Sequence, residues 1–174
     1  IHDIISGNKF RKLKFNLIKA KELGYRGLLT FGGAYSNHIP AVAYAANTNG
    51  FKSLGFIRGE EIANNYLENP TLKYSHDLGM KFNFLSRSNY KHKTNKDYLN
   101  KLKNKFKDYY LIPEGGTNAL GVLGCQEILN AKDKDFDYIC CSVGTGGTIC
   151  GLINSSNENQ KIIGFSSINK NYLL

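Results

Sequence analysis

Apolar residues recur at Phe10, Leu13, Leu17, Ala20 and Leu23, a spacing close to one face of a helix. Arg11, Lys12, Lys14, Lys19 and Lys21 fall mainly on the rest of that helix. After Gly24 and Gly27 the pattern changes to the continuous run Leu28-Leu29-Thr30-Phe31, of strand type, and Gly32-Gly33-Ala34-Tyr35 turns the chain. Ser36-Asn37-His38 then opens a helix through Ala41, Val42, Ala43, Ala45 and Ala46, stopped by Asn49-Gly50. Pro40 is tolerated there because in the first turn its missing N–H removes no intrahelical bond. Lys52 to Ile57 reads as a strand, Asn69-Pro70 as a cap and helix start ended by Gly79, and Lys81 to Leu85 as a third strand. One long polar helix is expected from about Lys93 to Phe106, with Tyr98, Leu99, Leu102 and Phe106 inward. Tyr109 to Ile112 is a strand cut off by Pro113. A helix with Leu120, Val122, Leu123 and Ile128 follows, then a strand from Phe136 to Ser142, a helix from Ile149 to Asn154 and a last strand from Lys161 to Phe165.

Strand and helix patterns therefore alternate, which predicts an α/β fold with mostly parallel strands and helices on both faces. No internal repeat or low-complexity linker interrupts them. Two lobes are expected: a smaller α/β lobe over residues 24–113, and a larger one from 1–23 with 114–174. Ligands in such sheets sit beyond the carboxyl ends of strands. Three loops with unusual chemistry leave those ends: Gly32 to His38, Glu114 to Asn118, and Gly144 to Thr148.

Composition changes this picture little. The 174 residues are 41% hydrophobic, enough for a core, and no apolar run is long enough to span a membrane. The chain starts Ile-His-Asp-Ile-Ile, with no signal pattern, and ends abruptly at Tyr172-Leu173-Leu174, as expected of a fragment truncated at both ends. The net charge of +9 raises the class of nucleic-acid binders. The lysines are spread over several helices and interleaved with Asn and Tyr, so a solvated surface is the expectation and nucleic acid is not an expected partner. Cys125, Cys140, Cys141 and Cys150 form no Cys-x-x-Cys pair and no zinc pattern, so no metal is expected. Cys140 and Cys141 read as small hydrophobes in an apolar run, and a reduced, cytoplasmic protein is the simplest account.

The chemistry gathers at helix mouths. Lys9 stands where the first helix begins. It is either one more solvated lysine or, with Arg11 and Lys12 repelling its proton, a nucleophilic amine facing a cleft. Gly144-Thr145-Gly146-Gly147-Thr148 joins a strand to a helix. It is an ordinary tight turn or, as favoured here, an anion site in which backbone N–H groups, helix polarity and hydroxyls converge. It lacks the Gly-Lys-Ser/Thr of a P-loop, and Ile149 replaces the third glycine of a dinucleotide fingerprint. Ser36 and Asn37 serve as helix caps, or leave the same free N–H groups to hold a carboxylate with the Ser36 hydroxyl at a reacting carbon. Glu114 to Asn118 is a second polar loop at the cleft or a plain strand-to-helix turn. His2, His76 and His92 read as surface residues. A phosphate loop, a Schiff-base-type lysine and a carboxylate-holding turn together point to pyridoxal phosphate chemistry on an amino acid.

Ser6-Gly7-Asn8-Lys9-x-Arg11-Lys12-Leu13, Gly32-Gly33-x-x-Ser36-Asn37-His38, Gly115-Gly116-x-Asn118 and Gly144-Thr145-Gly146-Gly147-Thr148 resemble, in order and separation, the 1-aminocyclopropane-1-carboxylate deaminase and D-cysteine desulfhydrase family. That family belongs to the tryptophan-synthase-β-like, fold-type-II pyridoxal-phosphate enzymes. The resemblance implies that Lys9 bonds covalently to the cofactor, that Lys12 and Gly144 to Thr148 hold its phosphate, and that Asn37 meets its ring hydroxyl. It implies that Ser36, Asn37 and His38 meet the substrate carboxylate and reacting carbon. The implied reaction is β-elimination of D-cysteine to pyruvate, ammonia and sulfide, with ring opening of the cyclopropane substrate as the alternative and a non-catalytic phosphate-ligand-binding domain as another. His38 is the residue common in the desulfhydrase branch, where deaminases carry Gln, and Tyr35 replaces a familiar Gln. Family chains have a segment before the position of Ile1 and continue past Leu174, supplying an acidic partner for the pyridine nitrogen and a substrate-side tyrosine. The full-length form is expected to be a homodimer.

Overall fold

The computed structural model describes residues 7–167. Ser6 of the first motif, His2 and the chain end at Tyr172 to Leu174 lie outside them. Helix α1 (Gly7–Glu22) leads into β1 (Gly27–Gly33), α2 (His38–Thr48), β2 (Lys52–Arg58), α3 (Pro70–Asp77), β3 (Met80–Leu85), the short α4 (Arg87–Tyr90), α5 (Lys96–Lys105) and β4 (Tyr109–Ile112). Then follow α6 (Ala119–Cys125), β5 (Tyr138–Val143), α7 (Gly147–Ser155) and β6 (Lys161–Ser166). Strands β3-β2-β1-β4 form one parallel sheet, and β5 pairs in parallel with β6.

The central strand β1 is buried on both faces, which is why it reads as a continuous apolar run rather than an alternating one. Its alternate residues serve two cores. Leu28 packs with Ile39, Val42 and Ala46 of α2, Leu13 of α1 and Leu72 of α3. Leu29 and Phe31 pack on the opposite face with Phe56, Tyr90 and Leu102, supported by Tyr98, Leu99 and Phe106 as their spacing predicts. Small residues bring α2 close to the sheet: a side chain at Gly32 would reach within 2.6 Å of Ile39.

Three local expectations are corrected. The long polar helix is broken. Ser86 caps α4, a 3-10 turn covers Lys91–Thr94, and the Asn95 side chain accepts from the Tyr98 N–H at 3.0 Å to start α5 afresh. On α1, Leu13 and Ala20 are buried, whereas Phe10 and Leu23 are about half exposed. Cys140 is exposed and Cys141 half-buried, because β5 has side chains alternating between a face packed by α7 and an open one. Cys125 is buried, Cys150 is exposed, and all four thiols are free.

Helices α1, α6 and α7 meet through glycines. A Cβ on Gly124 would lie 1.9 Å from the Arg11 carbonyl oxygen, and one on Gly151 would lie 2.3 Å from Cys125 Cβ. These close approaches carry the start of α1 toward the loop between β5 and α7.

Candidate active site

The loops that leave β1, β4 and β5 converge, with the start of α1, on one open cavity of about 940 Å³. Lys9 and Lys12 line it from α1, Ser36, Asn37 and His38 from the mouth of α2, and Gly144, Thr145, Gly146 and Thr148 from the loop into α7. Gly147 lies beneath that surface, its missing side chain leaving room for Thr117 and Lys12. Lys9, Lys12, Ser36, Asn37, His38 and the Gly144 to Thr148 loop, singled out by sequence, therefore meet in one place, although they come from opposite ends of the chain.

Lys12 is 2% exposed, the reverse of its place among the surface lysines in the helical pattern. Its Nζ donates to Thr117 Oγ1 at 3.3 Å, and among the described residues no carboxylate lies in ion-pair range of it. Burial, then the charge of Lys9, lowers its pKa to about 8, opposed by the Cys125 and Cys150 thiols. Lys9 also has its pKa lowered, and the cause is burial, opposed by Cys125. Repulsion from Arg11 is not the mechanism, because the Arg11 guanidinium turns outward to Glu127 at 3.0 Å, where Lys14 joins it at 2.6 Å.

The mouth of α2 is capped by Ser36, one of the two residues its sequence offers, and not by Asn37. Asn37 occupies the cap position with helical φ and ψ of −60° and −11° and makes no side-chain capping bond. Ser36 Oγ instead accepts from the His38 N–H at 3.3 Å. The Asn37 side chain is thus left exposed at the cavity.

His38 points inward and is 1% exposed. Thr30 Oγ1 donates to the Ile112 carbonyl at 2.8 Å and accepts from His38 Nε2 at 2.9 Å, so the Nε2 proton is retained. Burial, then Lys9 and Lys12, lowers the imidazole pKa to about 3, opposed by the nearby Pro113 carbonyl, which favours the charged ring. The ring is neutral, its buried Nδ1 has no hydrogen-bond partner, and it is no cationic clamp for a carboxylate.

The Glu114 to Asn118 segment divides its roles. Glu114 and Gly115 line the cavity. Glu114 is held from behind by Tyr90 Oη at 2.6 Å and by Lys93 at 3.5 Å. Asn118 is a structural cap: its Oδ1 accepts from the Gly121 N–H at 2.8 Å, and its amide pairs with the buried Asn16. Sequence reasoning missed four contributors. Asn8 donates to Thr148 Oγ1 at 3.0 Å, Thr117 accepts from Lys12, and Tyr74 and Ser142 line the wall. Asn8 and Thr117 lay inside motifs already noted, so their neighbours were the available signal. Tyr74 carries no signal that separates it from an ordinary helix face.

His76 and His92 are exposed, in keeping with their reading as surface residues. No group of acidic, His or Cys residues suited to a metal occurs among the described residues, and no helix there is long and apolar enough to cross a membrane.

No family model matches the chain. It is 36% identical, over 95% of its length, to a Thermotoga maritima protein provisionally named 1-aminocyclopropane-1-carboxylate deaminase, of which it covers 55%. It is 33% identical, over 85% of its length, to the Arabidopsis thaliana bifunctional D-cysteine desulfhydrase/1-aminocyclopropane-1-carboxylate deaminase, of which it covers 41%. Among solved structures, an ACC deaminase homologue superposes with a TM-score of 0.72 at 25% identity, over 92% of this chain and 51% of that one. A Dictyostelium discoideum serine racemase shares the fold at 17% identity and a TM-score of 0.69, over 91% and 50% of the two chains. The architecture is that of the fold-type-II pyridoxal-phosphate enzymes. The chain spans about half the length of the relatives it matches, and over that half its sequence is similar to the 1-aminocyclopropane-1-carboxylate deaminase and D-cysteine desulfhydrase family.

Proposed function

We propose that this protein serves a pyridoxal-phosphate-dependent lyase reaction on a small amino acid, with D-cysteine as substrate and pyruvate, ammonia and sulfide as products. The observation that carries this reading is Lys12. An ammonium 2% exposed, with only a hydroxyl for partner among the described residues, is costly unless an anion completes it. The anion loop lies beside it, at the N-terminus of the nine-residue α7. These residues fit a phosphate-bearing cofactor: Lys12 and the N–H groups of Gly144 to Thr148 would hold its phosphate, and the uncapped Asn37 amide its ring hydroxyl.

Lys9 would make the covalent attachment. When bound, the cofactor supplies an electron sink for negative charge at the substrate α-carbon. Because burial lowers its pKa, Lys9 Nζ sheds its proton more readily than an exposed lysine and can accept the α-proton. Ser36, Asn37 and the backbone at His38 would receive the substrate carboxylate, with the Ser36 hydroxyl beside the reacting carbon. The neutral His38 ring would hold that turn rather than bind charge. Resemblance at His38 favours D-cysteine over 1-aminocyclopropane-1-carboxylate. We further propose lobes at 24–113 and at 1–23 with 114–174, a cytoplasmic setting consistent with four free thiols, a homodimeric full-length form and no nucleic-acid partner.

The test is a visible spectrum of the protein with pyridoxal phosphate, followed by borohydride reduction and a peptide map. Label fixed on Lys9, absent from Lys9→Ala, supports the site, and label on another lysine refutes it. Sulfide and pyruvate from D-cysteine, against ammonia and keto acid from 1-aminocyclopropane-1-carboxylate, decide the substrate. Binding without turnover of either favours the non-catalytic phosphate-ligand domain.

A further inference from the structure

We propose that Thr117 is a positioning residue of the anion site, carrying a hydrogen-bond chain from the Lys12 ammonium to Thr145 so that the Thr145 hydroxyl proton faces the cavity. The inference rests on the anion-site reading above. It adds a residue that contacts neither the cofactor attachment point nor the substrate turn.

The direction of the chain follows from donor chemistry. An ammonium has no acceptor, so Lys12 Nζ donates and Thr117 Oγ1 accepts, at 3.3 Å. Thr117 and Thr145 are hydroxyl partners, and either can donate. With Thr117 already accepting from a cation, its own proton goes to Thr145 Oγ1. Thr145 is exposed at the cavity wall, and its proton is then left for an anion there. Each bond in such a chain polarises the next.

The backbone is shaped around this chain. A Cβ on Gly147 would stand 2.8 Å from Thr117 Oγ1 and 3.2 Å from Lys12 Cε. A Cβ on Gly115 would stand 2.6 Å from Thr145 Oγ1, and Gly115 has a φ of +66° that disfavours any side chain. Two glycines from different loops thus clear the space the three side chains use. The other titratable groups facing Lys12 are Lys9 on its own helix, Cys125 on α6 and Cys150 on α7, with the neutral His38 ring across Gly116.

The experiment compares wild type, Thr117→Val, Thr117→Ser, Thr145→Val and the double valine variant in binding inorganic phosphate, pyridoxal phosphate and pyridoxal. Circular dichroism checks the fold of each. Thr117→Val is expected to weaken both phosphate ligands roughly tenfold and to leave pyridoxal unchanged, whereas Thr117→Ser binds like wild type. The double variant is expected to be no weaker than the weaker single one, since both break the same chain. Without its acceptor Lys12 loses its proton more easily, so phosphate affinity in Thr117→Val falls off at lower pH than in wild type. Unchanged phosphate affinity in a folded Thr117→Val, an equal loss of pyridoxal, or additive losses in the double variant overturns the proposal while leaving the anion site standing. If Thr117→Val does not fold, Thr145→Val decides, and full phosphate affinity there overturns the chain. A wild-type protein that binds neither phosphate ligand overturns the anion-site reading itself.

Discussion

Replacing Lys12 by methionine should stabilise the ligand-free protein while abolishing its affinity for phosphate. In the structure the Lys12 pKa falls from an ordinary 10.5 to about 8. Each tenfold change in protonation is worth 1.36 kcal/mol, so holding this lysine charged at pH 7 costs about 3 kcal/mol relative to the unfolded chain. Methionine keeps the length of the stem and removes the charge, at the loss of one bond to Thr117 worth about 1 kcal/mol. The net gain is about 2 kcal/mol, or roughly 4–8 °C in Tm for a chain of this size. The sign with pH is fixed. Between about pH 8 and 10.5 the unfolded state holds the Lys12 proton and the folded state does not, so wild-type stability gains from rising pH through that window and Lys12→Met lacks this gain. Urea denaturation in phosphate-free buffer at pH 7 and pH 10, with phosphate titrated in separately, measures each part. A Lys12→Met protein less stable than wild type at pH 7 would refute the reasoning, because it would mean that the ammonium is already satisfied within the protein.

Two further substitutions test how α1 is held. Gly124→Ala adds a carbon 1.9 Å from the rigid Arg11 carbonyl, which outweighs the ~1 kcal/mol that alanine adds to a helix. It should cost about 2 kcal/mol by denaturation and weaken pyridoxal phosphate binding by shifting Lys9 and Lys12 together. Asn16→Leu removes a fully buried amide that donates to the Lys12 carbonyl at 2.7 Å and pairs with Asn118, leaving the Asn118 amide unsatisfied. A loss of about 2–3 kcal/mol in urea is expected, and a neutral result would mean that water replaces the amide.

What the sequence disclosed follows from what a one-dimensional pattern can carry. The α/β alternation, the parallel sheet and the three loops were legible because strand and helix periods, glycines and caps are local signals. The convergence of those loops was legible because strand ends in parallel sheets face one edge. The burial of Lys12 was not, since it depends on Gly124 and Gly147 admitting other elements and on Thr117, 105 positions away. The outward turn of Arg11 depends on Glu127, 116 positions away. Asn95 restarts the helix as its cap, and the restart was missed because a stretch rich in Lys and Asn gives no apolar period against which to see it. Cys140 misread because an apolar run reports what a strand is suited to, and only one face of β5 is packed in the described structure.

The buried polar residues separate the parts of this site that serve the fold from those that serve a ligand. Asn16, Thr30 and Ser75 are buried and each has its partner: Asn118, the Ile112 carbonyl and the Thr71 carbonyl at 2.8 Å. Two buried groups do not close their accounts within the described protein, the Lys12 charge and His38 Nδ1. His38 avoids most of the cost by remaining neutral, which a pKa of about 3 guarantees at any physiological pH. Lys12, with a pKa of about 8, remains mainly charged at pH 7. A dianion bound at 100 times its Kd adds about 2.7 kcal/mol to stability, close to the ~3 kcal/mol that the uncompensated charge removes. The same buried charge that weakens the empty fold is therefore what couples folding to phosphate. Adding phosphate should raise the Tm of wild type and leave that of Lys12→Met unmoved.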